Sequence, residues 1–571
     1  MERKSGSGAP SSGIDVGLPL RDRLSFLWLV VGIAILAFAN GLQTVPIAAW
    51  LGPVFLVRSL RTQRAVIGLL IGYLLSAGVF LFQWSAFFDG AGAMISLYTA
   101  VIGLLVFLPY VADRLLRAHI RGFAATLVLP VAWVSMEYLL HLALPLGTFF
   151  NLAYTQSTNL PLLQIMSITG LWAVTFLVVW FASVANYAWE GGFEPQRIGR
   201  GVAAYTIVLL AVLLYGGLRL ALQRPTGPTV QVAILTTNVN REPLPEIGTP
   251  LDQRMMAGTL TAEDRREMAQ TMAEINDDLL TRTRSEARHG ARIVTWTEYN
   301  AHVFAGDETQ FLDRARQLAR GERIYLVFPL LVLEPDVARR PAPMLAEVNK
   351  SVMITPEGEI AYQYVKHHLL IGPESERAVR GKAEIPAIET PYGKLASVIC
   401  LDMEYPSYMR LAGQQGVDIL LSGAIDGTPA SKGHPLHSTM ASFRAIEEGF
   451  SLARGGFYGQ SIAVDYQGRV VGTANHYTAE DRTVVAHLPV KGTRTPSPTL
   501  GDFFPWLCLL ALLGVVVTGL VGGRRQAIVR RQALPAEAQR PPPSPGKLEE
   551  PPVKNSANRE LGIAISQGGF V

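Results

Sequence analysis

The sequence predicts two joined parts: a polytopic α-helical membrane domain and an α/β layered domain with mixed sheets. Three observations lead there. The chain has 571 residues, too many for one ordinary core. Its residues are 49% hydrophobic and only 17% charged. Apolar residues fill 25–222 and again 503–521, while 228–495 has ordinary soluble composition with alternating strand-like and helix-like patterns.

Crossing about 30 Å of hydrocarbon takes roughly 20 apolar residues in a helix. Candidate spans lie at about 24–40, 44–58, 64–84, 94–112, 120–142, 162–187, 201–222 and 503–522, about eight in all. The first two are short and could form one broken hairpin. Arginines and a lysine mark every second connection: Arg3, Lys4, Arg21 and Arg23, then Arg58, Arg61 and Arg64, then Arg114, Arg117 and Arg121, then Arg197 and Arg200, and finally Arg524, Arg525, Arg530 and Arg531. The alternate loops near 41–44, 85–93 and 143–161 carry neither Lys nor Arg. This is the positive-inside pattern for both termini in the cytoplasm, and it places 223–502 outside. A signal-peptide reading of 21–40 fails, because further spans follow and no small-residue cleavage site is evident. The expected organisation is a cytoplasmic segment 1–23, a membrane domain 24–222, an α/β domain 228–495, a last span 503–522 and a cytoplasmic tail 523–571. The Pro-rich composition of 535–571 predicts disorder.

Within 228–495, strands are expected at Val230–Leu235, Arg292–Trp296, Ile324–Leu333, Ala396–Cys400 and Asp418–Ser422. Hairpins are expected over Val348–Val365, turning at Pro356–Glu359, and over Gln460–Thr473. Thr261 and Asp264 form a capping-box start for a long helix that stops at Gly290. Glu308–Arg320, Tyr405–Gln415 and Pro435–Glu448 read as further helices. No internal repeat and no glycine-rich phosphate loop are visible. The net charge of +4 carries no Lys/Arg cluster interleaved with aromatics, which argues against nucleic acid. The two cysteines, Cys400 and Cys508, make no disulfide framework.

Three stretches put reactive residue types where strands end: "RIVTWTEYN" with Glu298, "YQYVKHHLLIGPESE" with Lys366 and Glu374, and "VICLDMEYPSYMR" with Cys400. Strand ends at one edge of a sheet converge, so these residues can meet. A carboxylate can take a thiol's proton, since the thiolate is the nucleophile. An ammonium can stabilise both the thiolate and a developing oxyanion, with the Leu401 N–H as a second donor.

On these motifs, and on "HSTMASFRAIEEGFSLARGGFYGQSIAVDYQGRV", the domain resembles the nitrilase, or carbon–nitrogen hydrolase, superfamily. With the membrane part, including "LGTFFNLAYTQSTNLPLLQIMSITGLWAVTFLVVW", residues 24–522 resemble the bacterial apolipoprotein N-acyltransferase family. The resemblance implies an αββα sandwich and a two-step acyl transfer. Cys400 would be the nucleophile, Glu298 the general base, Lys366 the oxyanion stabiliser, and Glu374 would orient Lys366. The donor would be a phospholipid, and the acceptor the α-amino group of a diacylglyceryl-cysteine apolipoprotein. No cofactor or metal is implied, and a monomer is expected. The protein would sit in the bacterial cytoplasmic (inner) membrane with its catalytic domain on the outer, periplasmic face. The sequence departs from the family at Trp296-Thr-Glu298, at Ile371-Gly-Pro-Glu374, at Leu401-Asp402, and in "SGAIDGTPA", which lacks a Trp.

Each residue also has a plainer reading. A lone Cys at a strand end is usually a small buried hydrophobe. Glu298 could cap a helix, and Lys366 could be solvated. Glu376 could stand in for Glu374. Asp402 and Glu404 could cap the following helix. His367, His368, His434 and His437 lack metal spacing and read as structural. Arg444 and Glu447 read as an i,i+3 pair on one helix face. Met255-Met256 and residues 241–258 could form a lid over a lipid entry, or an ordinary loop. The rival function is a membrane-anchored carbon–nitrogen hydrolase, an amidase acting on a lipid-like substrate. A non-catalytic partner is disfavoured by the complete Glu–Lys–Cys set.

Overall fold

The computed structural model describes residues 22–84, 92–241, 244–246, 248–342, 344–427 and 435–532. The segment 1–21, His434 and the tail from 533 lie outside them. Residues 1–519 form one compact unit, and a second unit begins at Leu520.

The N-terminal part is helical: Ser25–Leu36, Pro46–Thr62, Ala65–Trp84, Gly92–Leu116, Val128–Ala143, Trp172–Glu190 and Pro195–Leu222, with Phe503–Gln532 following the α/β domain. Among the described residues, five stretches are long and apolar enough to cross a membrane: Ala65–Trp84, Gly122–Ala143, Trp172–Glu190, Pro195–Leu222 and Phe503–Val521. The first two helices are an antiparallel pair, closed at one end by Ser25 Oγ and Thr62 Oγ1 at 2.7 Å. A single helix expected over 162–187 is not formed. Leu160–Leu163 and Met166–Thr169 are single turns, Gly170 sits at φ +63°, and only Trp172–Glu190 continues as a helix. The break frees the Leu171 N–H, which donates to Glu447 Oε1 at 2.7 Å.

The arginine-bearing connections gather at one end of this bundle. Arg61 pairs with Asp113 at 2.7 Å and Glu190 at 3.3 Å, and Arg117 with Glu190 at 2.6 Å. The α/β domain docks at the opposite end, on residues 147–171.

That domain is a four-layer sandwich. Its strands are β1 (Thr229–Leu235), β2 (Ile293–Trp296), β3 (Ala301–Phe304), β4 (Tyr325–Leu333), β5 (Glu347–Ile354), β6 (Ile360–Val365), β7 (Ala387–Thr390), β8 (Gly393–Ile399), β9 (Ile419–Ile425), β10 (Ser451–Phe457), β11 (Gln460–Val464), β12 (Val470–Asn475) and β13 (Thr483–Pro489). One sheet runs β13-β1-β2-β4-β5-β6, with β3 also on β4; the other runs β12-β11-β10-β9-β8-β7. Apolar residues of both, among them Val232, Ile293, Val327, Leu395, Leu421 and Ala453, fill the layer between the sheets. Helices Ala262–Arg288 and Glu308–Glu322 cover the outer face of the first sheet. Pro406–Gln415 and Leu436–Glu448 cover that of the second. β1 and β13 are antiparallel, with Thr229 opposite Pro489, so the chain enters and leaves the domain side by side.

Strands β3, β7, β10 and β13 were not expected from the sequence. The region 241–258 is also more than a loop: Pro250–Ala257 is a helix. Met255 is pinned among Leu260, Met268, Met272, Leu331 and Leu333. Arg340 donates to the Met255 and Met256 carbonyls at 2.8 and 2.7 Å.

Candidate active site

The reactive residues do not converge along one sheet edge. Glu298 follows β2 and Lys366 follows β6 in the first sheet, while Cys400 follows β8 in the second. They meet because the sheets stack with these strand ends at the same end of the sandwich.

Glu298 is fully buried. Its Oε2 accepts the Ile425 N–H at 2.9 Å, and its Oε1 accepts from Asn349 Nδ2 at 2.7 Å and Lys366 Nζ at 2.9 Å. Lys366 Nζ donates also to Glu374 Oε1 at 2.7 Å, and its backbone N–H donates to the Asn349 carbonyl at 2.9 Å. Glu374 lies on the short helix Pro373–Arg377, and its Oε2 accepts the Leu370 N–H at 2.8 Å. Arg377 forks onto Asp252 at 2.6 and 2.9 Å, tying that short helix to Pro250–Ala257. It is therefore Glu374 that reaches the lysine.

Cys400 is half-buried and has φ +48°, a left-handed conformation unusual for a non-glycine residue. Such strain persists only where the surroundings impose it, and it gathers at active sites. The sulfur lies 3.7 Å from the Ile425 carbonyl, so the thiol and the Glu298 carboxylate flank the same residue of β9. Burial pushes the Cys400 thiol well above its usual range and Glu298 adds to this; Lys366 and Arg454 oppose it. Burial also raises Glu298, against the pull of Lys366. For Lys366, burial disfavours the ammonium, but Glu298, Cys400 and Glu374 outweigh it and hold the amine charged. The resting arrangement is a neutral thiol beside a charged lysine held between two carboxylates.

Asp402 does not cap the helix Pro406–Gln415, which has no side-chain cap. Its Oδ2 accepts the Ile399 N–H at 3.1 Å and the Tyr364 hydroxyl at 2.6 Å, and its Oδ1 accepts the His368 N–H at 2.8 Å. One carboxylate thus joins the residue before Cys400 to the loop two residues past Lys366. His368 stacks on Tyr405 at 3.7 Å, and His367 Nδ1 meets the Gly381 carbonyl at 2.9 Å. Arg444 and Glu447 pair at 2.8 Å in the docking surface. Cys508 is buried on the helix Phe503–Gln532. Asn349, in contact with Glu298 and 3.5 Å from Glu374, was not singled out in the sequence; a lone Asn within an otherwise ordinary hairpin strand carries no signal.

Residues 261–495 match the family model described as carbon-nitrogen hydrolase, which gives the class of the domain. Residues 31–184 match the model for the apolipoprotein N-acyltransferase N-terminal domain. The chain is 23% identical over 455 residues to an apolipoprotein N-acyltransferase of Geobacter metallireducens, covering 76% of this chain and 79% of that protein. It is 23% identical over 462 residues to one of Shewanella oneidensis, covering 77% and 80%. Among solved structures, it is similar to an amidase from Nesterenkonia sp. at 19% identity, over 46% of this chain and 92% of that one, with a TM-score of 0.35. The chain belongs to the apolipoprotein N-acyltransferase family, a family of bacterial membrane enzymes.

Proposed function

We propose that the enzyme moves a fatty acyl chain from a phospholipid, through a thioester on Cys400, to the α-amino group of a diacylglyceryl-cysteine apolipoprotein. The observation that carries this reading is the buried Glu298–Lys366–Glu374 cluster facing Cys400 across Ile425. In the first half-reaction Glu298 takes the thiol proton as sulfur attacks the ester carbonyl. Lys366 Nζ and the Leu401 N–H receive the oxyanion. The C–O bond then breaks, and Glu298 returns the proton to the departing lysophospholipid oxygen. In the second half-reaction the neutral amine attacks the thioester. Glu298 takes the amine proton, the C–S bond breaks, and the thiol is restored with that proton. Raising the thiol's pKa keeps it protonated until a substrate arrives, so base and nucleophile act together. Glu374 and Asn349 keep the Lys366 and Glu298 side chains aimed.

The site faces the outer side of the inner membrane in this reading. The arginine-rich connections favour the cytoplasm, and the domain docks at the other end of the bundle. The direct test is intact-mass analysis of the purified full chain after incubation with phospholipid. A palmitoyl-sized adduct on Cys400, absent in Cys400→Ala, supports the reading. Ester cleavage without any adduct, with free fatty acid accumulating, would favour the hydrolase instead.

A further inference from the structure

We propose that the helical part of the chain holds the nucleophile in place, with Thr148 and Tyr154 as positioning residues for Cys400. This rests on the reading of Cys400 as the acylated residue.

Cys400 opens a short 3-10 turn that ends at Glu404. Such turns have poor hydrogen-bond geometry and are weak alone. The start of this one is fixed by Asp402 on the Ile399 N–H. Its end is fixed from outside the domain. The Glu404 carbonyl accepts the Thr148 N–H at 3.0 Å and Thr148 Oγ1 at 3.0 Å. Gly147, at φ +57°, allows this approach: a Cβ there would lie 2.3 Å from the Glu404 oxygen.

A hydroxyl has one proton to give. Thr148 gives its proton to Glu404, so the Tyr154 hydroxyl, 2.6 Å away, must donate to Thr148. Tyr154 in turn accepts from Arg444 at 3.2 Å. Arg444 pairs with Glu447 at 2.8 Å, and Glu447 accepts the Leu171 N–H at 2.7 Å. The chain Arg444–Tyr154–Thr148–Glu404 therefore has one direction only. It begins and ends in the α/β domain and passes through the helical part. Thr148, Tyr154, Arg444 and Glu447 are all buried, where a hydrogen bond is stronger than in water and an unpaired member is costly. The bundle that meets the lipid thereby sets the place of the thiol that attacks it.

The test uses the full chain in phospholipid nanodiscs, comparing Thr148→Val, Tyr154→Phe and Thr148→Ser. Three quantities are read: the single-turnover rate of Cys400 acylation, the KM for phospholipid, and the rate of Cys400 alkylation by iodoacetamide, followed by peptide mass. Small misplacements of reacting groups cost large factors in rate. The expected result is an acylation rate about tenfold or more lower in Thr148→Val and Tyr154→Phe. KM should be unchanged, the alkylation rate altered, and Thr148→Ser close to wild type. Wild-type acylation and alkylation in both variants would overturn the proposal. So would a loss that only follows the folded fraction. If wild type itself takes no acyl group, the functional reading fails instead, and the alkylation comparison still decides the positioning.

Discussion

At the scale of residues, Lys366 is the centre of the site, since its ammonium bridges both carboxylates at 2.9 and 2.7 Å. Removing a general base lowers rates by about 10²–10⁴-fold, and removing an oxyanion donor by about 10²–10³-fold. Glu298→Gln and Lys366→Met should each slow thioester formation by such factors in a stopped acylation assay, whereas Cys508→Ala should leave it near wild type. Full-speed acylation in either variant would show the role misassigned. The pH profile is a second check. Glu298 must be ionised to act as base, and burial raises its pKa from the ordinary carboxylate value, with Lys366 opposing. Acylation should therefore fall as pH drops, with its midpoint above about 4.3, the ordinary glutamate value. A rate flat down to that value would contradict the burial argument. The flanking motifs of Glu298, Lys366, Glu374 and Cys400 follow one family's order, so the sequence alone singles these four out, and the fold brings them together. Asn349 and the Ile425 N–H are not singled out, because their contribution depends on how two sheets stack.

At the scale of elements, the sequence marks a strand or helix well where local chemistry decides it. Thr261 and Asp264 do form the reciprocal capping box, at 2.9 and 3.1 Å. Both expected hairpins pair antiparallel. The misses are instructive. β10 carries Gly455-Gly456, which locally disfavours a strand. Yet a Cβ on Gly455 would meet Thr297 Cγ2 at 2.6 Å, so glycine is needed where the second sheet presses on the Glu298 loop. Gly423 on β9 is tighter: a Cβ would lie 2.7 Å from the Trp296 carbonyl and 2.8 Å from the Glu298 nitrogen. Overpacking of this kind costs about 1–3 kcal/mol. Gly423→Ala should lower the thermal midpoint of the detergent-solubilised chain, and should slow acylation beyond what the folded fraction explains, because the clash is with Glu298's own backbone. An unaltered midpoint and rate would mean that the sheets separate easily at this point.

At the scale of the whole molecule, two polar assemblies mark opposite ends of the bundle. Arg61, Asp113, Arg117 and Glu190 close one end, and the Thr148–Glu404 and Leu171–Glu447 contacts dock the α/β domain on the other. Charge alternation in the sequence marked the arginines of the first but not their partners Asp113 and Glu190, and no local pattern announces the second. The broken helix at Gly170 is part of the second, since its free N–H is a docking contact. Sidedness follows for a test. In intact spheroplasts, an impermeant maleimide should label Arg288→Cys in the α/β domain and spare Lys554→Cys in the tail. The reverse would turn the topology over and remove the acceptor from reach. The central claim, that Cys400 carries the acyl group between two substrates, is tested most directly by a chase. The full chain is loaded from a phospholipid with a deuterated acyl chain, freed of donor, and mixed with a synthetic diacylglyceryl-cysteine peptide. Loss of the mass adduct from Cys400 matched by deuterated amide on the peptide's α-nitrogen is the predicted result. Release of the label as free fatty acid, or a peptide acylated while the adduct stays on Cys400, would contradict the account.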